Sequence, residues 1–204
     1  MNGMKGSHFR SEFLYNALAL LKLGKEYHLR FKIAARYVRP DESVIDVCSG
    51  AGRLRGFIPE DCSYTAIDAS PEFLSALKKK NVKTIACDLH AGWPSSVPES
   101  DVITMVIALS QFRNTSADIL LEAFKKAAKR VVIVEDVLAR PRKEGSLIQR
   151  AMNYLCGTDY YVPVSSWYTC SEFERLMLDH GYQCETVSSR YMVGLYGFQH
   201  KMKS

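Results

Sequence analysis

The chain has 204 residues, 47% of them hydrophobic, and 27 Lys and Arg against 22 Asp and Glu give a formal net charge of +5. That length and apolar content predict one sizeable core, a single domain with additions rather than two domains. No run reaches the roughly 18 apolar residues that a membrane-spanning helix needs.

Lys5 and Arg10 precede the apolar stretch Phe13 to Leu21, as in a signal peptide. Asn16 interrupts that stretch, no small-residue cleavage site follows, and Leu14, Leu18 and Leu21 recur at helical spacing. These features predict an amphipathic helix and a cytoplasmic protein. Residues 8–37 read as one or two helices broken near Gly24, with Phe31, Ala34, Ala35 and Val38 on an apolar face, until Arg39-Pro40-Asp41 stops them. This segment is locally basic, with Lys22, Lys25, Arg30, Lys32 and Arg36 among its cations, which ordinarily means a solvated helix face and less often a phosphate or nucleic-acid contact.

Residues 43–52 read Ser-Val-Ile-Asp-Val-Cys-Ser-Gly-Ala-Gly, a β-branched run that ends in an acid and breaks into a turn of small residues. Val44, Ile45 and Val47 suit a buried parallel strand, and Gly50 and Gly52 let backbone approach a bound group. A helix over 51–57 is expected next, and then a turn at Pro59-Glu60-Asp61. A second strand, 63–67, ends in Asp68, eighteen positions beyond Gly50, where an acid can take the two hydroxyls of a ribose. Ser70 is the expected N-cap, and Pro71 the first-turn proline, of a helix to Lys80.

A third strand, 83–87, ends in Asp88, and a fourth, 101–109, is apolar enough for the sheet centre. A helix over 116–128 leads to a fifth strand, 130–136. Regular alternation then lapses into an insertion at about 140–169, with a helix near 144–156 and an aromatic loop that holds Tyr160, Tyr161, Trp167 and Tyr168. The last helix runs from Ser171 to His180 with Gly181 at its C-cap, and 182–190 and 191–201 read as a closing antiparallel pair. The expected fold is therefore α/β, Rossmann-like and doubly wound: a mostly parallel seven-stranded sheet with a C-terminal antiparallel strand pair and helices on both faces. Asp46, Asp68, Asp88, Ser110 with Gln111, and Glu135 with Asp136 all fall at carboxyl ends of strands, where ligands bind in such sheets. The six cysteines are scattered, without a Cys-x-x-Cys pair or a histidine at zinc spacing, so reduced thiols and no metal site are expected.

Asp46-x-Cys48-x-Gly50-x-Gly52 resembles the first motif of the class I S-adenosylmethionine-dependent methyltransferases, with Cys48 in place of the first glycine. The resemblance extends more weakly from about residue 40 to the C-terminus. It implies S-adenosylmethionine as cofactor: Cys48, Ser49, Gly50 and Gly52 beside its methionine part, Asp46 on its amino group directly or through water, and Asp68 on the ribose. It also implies Asp88 near the adenine amino group, Leu89 or Ala69 against the ring, and Ala108 and Ser110 near the methyl sulfonium. Methyl transfer from a sulfonium is an in-line displacement that asks for positioning and dryness more than for a particular side chain. His90 is the one candidate for a base where the acceptor must lose a proton, and a solvent-exposed loop residue is the plainer reading.

Two other readings stay open. Gly50-x-Gly52 with a downstream acid also fits an NAD(P)-dependent oxidoreductase, although Arg55 stands where that fingerprint wants its third glycine and no Tyr-x-x-x-Lys occurs. A non-enzymatic nucleoside-binding module, with its basic N-terminal helix for a partner, is the other. The Asn/Asp-Pro-Pro-Tyr signature for base methylation is absent after the fourth strand, where Ala108-Leu-Ser-Gln-Phe112 stands, so a small organic acceptor is favoured and RNA remains open. Residues 1–40 are expected to form a helical lid segment beside the methyltransferase domain, 41–204. Tyr27, Arg30, Tyr160, Tyr161 and Trp167 are the candidates to cover the acceptor, Arg30 by meeting an anionic group on it.

Overall fold

The computed structural model describes residues 27–137, 167–188 and 193–200. The expected break near Gly24, the helix near 144–156 and the side chains of Tyr160 and Tyr161 lie outside the described residues. Five strands, β1 (Ser43–Val47), β2 (Ser63–Asp68), β3 (Lys83–Ala86), β4 (Ser100–Val106) and β5 (Ala127–Val137), form a parallel sheet in the order β3-β2-β1-β4-β5. Beyond β5 the ladder continues antiparallel through β7 (Val193–His200) to β6 (Gln183–Ser188). The chain winds outward from β1 to β3 and then returns to place β4 on the other side of β1. The strand order thus reverses between β1 and β4, the place where an open α/β sheet leaves a crevice at its carboxyl ends.

Helices cover both faces, as the two-sided burial of the central strands requires. On one face, α1 (Tyr27–Ala35) and α2 (Pro71–Lys79) close a core that includes Phe31, Ala34, Val44, Leu54, Ala66, Leu77, Val102, Val132 and Val134. On the other, α3 (Ser116–Lys126) and α4 (Cys170–Asp179) pack Ile119, Leu120, Phe173 and Met177 against Ile45, Val47, Ile103, Met105, Val131 and Ile133. The odd and even positions of β5 divide between the two cores, which is the period of two that a strand imposes. α2 begins as its sequence requires, with Ser70 Oγ accepting from the Phe73 amide and Pro71 in the first turn. Gly181 follows α4 at φ 78°, one residue beyond the cap at His180, in the left-handed conformation that glycine admits without a Cβ clash.

Two elements differ from expectation. The helix expected over 51–57 is a single 3-10 turn, Arg53–Gly56, because Gly52 at φ 66° breaks the helical path and only Leu54 in the segment is wholly buried. The fourth strand stops at Val106 rather than Leu109, since Ile107 turns to φ 56° and Leu109–Phe112 form another 3-10 turn.

At the amino ends of the central strands, buried Arg130 clasps Glu42, with Nη2 donating to Oε1 at 2.9 Å, while Nη1 also donates to the Tyr37 carbonyl at 2.8 Å. Burial opposes the Glu42 charge, but the Arg130 bonds and the Arg39 amide bring its pKa below the usual carboxylate value. This cluster lies at the opposite end of the sheet from the crevice and ties α1 to β1 and β5. Cys48, Cys62, Cys87, Cys170 and Cys184 are free thiols.

Candidate functional site

The turn after β1 is built from left-handed residues: Cys48 at φ 56°, Gly50 at 52° and Gly52 at 66°. Cys48 occupies a conformation that costs a residue with a Cβ roughly 1–2 kcal/mol, so its place in the pattern is one that glycine would fill without strain. A Cβ on Gly52 would lie 2.5 Å from Leu77 Cδ2, so any larger residue there would have to displace the buried Leu77 side chain of α2. A Cβ on Gly50 would meet only Phe73, at 3.9 Å. Gly52 therefore serves the packing of the turn, while Gly50 keeps one side of it open. Ser49 donates its amide to the Ile67 carbonyl at 3.0 Å, and its buried Oγ has no hydrogen-bond partner.

Asp68 closes the turn from the end of β2. Its Oδ2 accepts from the Gly50 amide at 2.7 Å and its Oδ1 from the Ser70 amide at 2.8 Å. Burial raises its pKa against the pull of the backbone donors at Ser70, Gly50 and Ala69. The side chain is nevertheless only half-buried, and Ala69 beside it is exposed. Asp46 is different, 3% exposed and facing the α1 side of the sheet. Tyr64 Oη donates to its Oδ2 at 2.5 Å and Thr104 Oγ1 to its Oδ1 at 2.9 Å. Burial pushes its pKa up to about 6 despite these two donors. The partners were not singled out in the sequence, although Thr104 is the one polar residue inside the apolar run 102–106 and stands level with Asp46 across β1 and β4.

Beyond β3, Asp88 caps the short turn Leu89–Ala91 by accepting from the His90 amide at 3.0 Å. Leu89 is buried beneath it. His90 is exposed and rests its ring 4.6 Å from that of Phe112, a contact that joins the rim after β3 to the turn after β4.

At the end of β4, the Ile107 amide donates to the Val134 carbonyl at 2.7 Å and so holds a β-branched residue in the left-handed region. Ala108 and Ser110 follow, both buried. Ser110 donates its amide and its hydroxyl to the two carboxyl oxygens of Glu135, each at 3.2 Å. Glu135 is 1% exposed, and burial, then the neighbouring Asp136, pushes its pKa up to about 8. Asp136 points to the opposite face and takes Arg30 Nε at 2.7 Å. Arg30 is thus an interior residue of α1, buried at 5%, and not the exposed receptor for an acceptor's anion that the sequence suggested. A carboxylate at low exposure claims the nearest guanidinium because an unpaired buried charge is costly.

Trp167 is half-buried, and its carbonyl accepts from Arg113 at 3.1 Å. Tyr168 belongs to the core: it is 4% exposed, lies edge-on to Phe173 at 5.9 Å, and has the Arg113 guanidinium over its ring at 4.8 Å. It packs the segment onto the sheet instead of covering the crevice.

No protein-family model matches the sequence, and no curated protein sequence does so with significance. Solved structures are similar in fold. The chain aligns with a SAM-dependent methyltransferase from Aquifex aeolicus at a TM-score of 0.59 and 20% identity, over 92% of this chain and 98% of that one. It aligns with the plantazolicin methyltransferase BpumL, whose structure was determined in complex with SAH, at a TM-score of 0.64 and 17% identity, over 94% and 96%. A SAM-dependent methyltransferase from Thermotoga maritima, described as a possible histamine N-methyltransferase, gives a TM-score of 0.58 and 14% identity, over 91% and 95%. At these identities the likeness is one of fold, the Rossmann-like class I methyltransferase architecture.

Proposed function

We propose that this chain transfers a methyl group from S-adenosylmethionine to a small or medium-sized organic acceptor. The observation that carries the reading is the join between Gly50 and Asp68, a glycine turn at the β1/β4 crevice braced by a half-exposed acid from the end of β2. The residues present fit such a cofactor. The unpartnered Ser49 Oγ lies in the turn, Asp68 retains accepting capacity for a ribose diol, and Asp46 would supply negative charge toward a cofactor's amino group.

In this reading Cys48, Ser49, Gly50 and Gly52 border the methionine part, Asp68 and Ala69 the ribose and ring edge, and Asp88 and Leu89 the adenine. Ala108 and Ser110 border the reacting centre. When bound, S-adenosylmethionine supplies an activated methyl on a sulfonium. The protein contributes position and exclusion of water, and positioning alone accounts for about 7–11 kcal/mol in well-oriented reactions. His90, at the rim against Phe112, is the candidate base for an acceptor that must lose a proton. Of the aromatic residues proposed to cover the acceptor, Trp167 lies among the described residues, half-buried with its carbonyl held by Arg113.

Titration calorimetry with S-adenosylmethionine, S-adenosylhomocysteine and NAD tests the reading. Binding of the first two at roughly micromolar dissociation constants, with none for NAD, is expected. Binding of NAD alone would move the chain to the oxidoreductases, and binding of none would remove the nucleoside site altogether.

A further inference from the structure

Glu135 is a buried acid that faces no cation among the described residues. Its nearest acidic neighbour, Asp136, projects to the opposite face of β5 and takes Arg30 there. On its own face the groups around it are Ser110, the Leu109 amide and Tyr168. The guanidinium beyond Tyr168, that of Arg113, is ion-paired with Glu172. The carboxyl therefore has hydrogen-bond donors and no counter-charge, so burial holds it protonated near neutrality, and its ionisation waits on a positive charge brought close to it.

Its position is also specific. The last β4 to β5 pairing joins Val106 to Val134, so Glu135 lies one residue past the end of β4, directly under the Ile107–Ser110 turn. β4 is the partner of β1 at the switch point, and this turn walls the same crevice as the Gly50 turn. Asp46 and Asp68 likewise face no cation among the described residues, although the chain carries a net charge of +5. Three buried or half-buried acids without cations among the described residues therefore stand at or near the carboxyl ends of β1, β2 and β5.

We propose that the counter-charge of Glu135 arrives with the ligand, and that Glu135 sets a preference of the crevice for a ligand with a cationic centre over its neutral counterpart. The inference rests on the proposed cofactor, whose donor form is a sulfonium cation and whose demethylated product is a neutral thioether. Two unit charges across a partly buried site interact strongly enough to change relative affinity by about five- to tenfold.

The test is the ratio of affinities for S-adenosylmethionine and S-adenosylhomocysteine, by calorimetry at pH 7 and pH 9, in wild type and in Glu135→Gln. Glutamine keeps an oxygen to accept from Ser110 but cannot carry the charge. From pH 7 to pH 9 the wild-type ratio should rise toward the methylated form by about five- to tenfold relative to the ratio in Glu135→Gln, as the acid ionises. The comparison with the variant cancels the titration of amino groups on the ligands themselves. A wild-type ratio that follows that of the variant overturns the inference while leaving the cofactor reading in place. Binding of neither ligand overturns the cofactor reading and this one with it. Infrared spectroscopy of wild type supplies a measurement that does not depend on the variant's folding. At pH 7 the band of a buried protonated carboxyl should fall by about half on adding S-adenosylmethionine and survive S-adenosylhomocysteine, and a band unmoved by both would overturn the inference.

Discussion

The Gly50 amide donates to Asp68 Oδ2 at 2.7 Å across 18 residues of sequence, so the acid at the end of β2 fixes the conformation of the turn at the end of β1. The second oxygen accepts from Ser70, the residue that caps α2. One carboxylate thus aligns the glycine turn and the start of the neighbouring helix, and it does so from a half-exposed position where a ligand can reach it. In the proposed site, shape and recognition rest on the same carboxylate.

Removing the Asp68 carboxylate should therefore weaken S-adenosylhomocysteine binding by more than a lost ribose contact. Charge-assisted hydrogen bonds contribute about 1.5–3 kcal/mol, so Asp68→Ala is expected to lose roughly 10- to 100-fold in affinity, with Asp68→Asn between it and wild type. Calorimetry decides the matter, and unchanged affinity in Asp68→Ala would remove Asp68 from the site.

The two glycines of the turn should fail in different ways. Gly52→Ala places a methyl 2.5 Å from Leu77, which is 2% exposed and hemmed in by its core, so the variant should lose several degrees of melting temperature. Gly50→Val strains a residue at φ 52° but has room toward Phe73, so it should fold and lose ligand binding. Thermal melts with and without S-adenosylhomocysteine separate the two outcomes. Equal melting points for both variants would count against the division of labour.

What could be read in the sequence was whatever local chemistry decides. Val44, Ile45 and Val47 mark a buried strand and Asp46 stands at its polar end, while Ser70-Pro71 announces the helix that follows. The alternation of such units dictates the parallel order. What could not be read depends on distant partners. Arg30 looks like an exposed helix cation until Asp136, 106 residues later, is found against it. Tyr168 looks like one more aromatic of a loop, and only the packing of α4 through Phe173 makes it core. The helix expected at 51–57 failed for a reason partly visible in the chain: Arg53-Leu-Arg-Gly56 offers a single apolar residue to bury, too little to hold a full helix.

The Glu42–Arg130 pair should prove to be a stability element and nothing more. Both side chains are 5% exposed, and removal of Arg130 leaves buried Glu42 only the half-exposed Lys129, 3.5 Å away, as counter-charge. Arg130→Met is expected to cost about 3–5 kcal/mol in urea unfolding while the affinity for S-adenosylhomocysteine in the folded protein is unchanged. A matching loss of affinity would show that the two ends of the sheet are coupled.

Glu135 should make the folded protein less stable as pH rises. Its pKa is raised to about 8 in the fold from an ordinary value of 4.5, so between those limits the folded state binds more protons than the unfolded chain. Stability changes with pH as the difference in protons bound, unfolded minus folded, which is negative here. The contribution is full below pH 4.5, declines through neutrality, and is lost above pH 8. Asp46 acts with the same sign in a lower window, from 3.8 to about 6, while Glu42 and Asp101, whose pKa values are lowered, act with the opposite sign in acid. Between about pH 6 and 8 the slope therefore belongs chiefly to Glu135, before the thiols of Cys48, Cys62, Cys87 and Cys184, whose pKa values burial raises, add to it. Urea unfolding of wild type and Glu135→Gln at pH 6, 7.5 and 9 isolates it. The variant should gain on wild type as pH rises, by up to a few kcal/mol across the window. Parallel curves would mean that Glu135 is ionised throughout, already balanced by a positive charge in the protein, and the crevice would then have no need of a cationic ligand on its account.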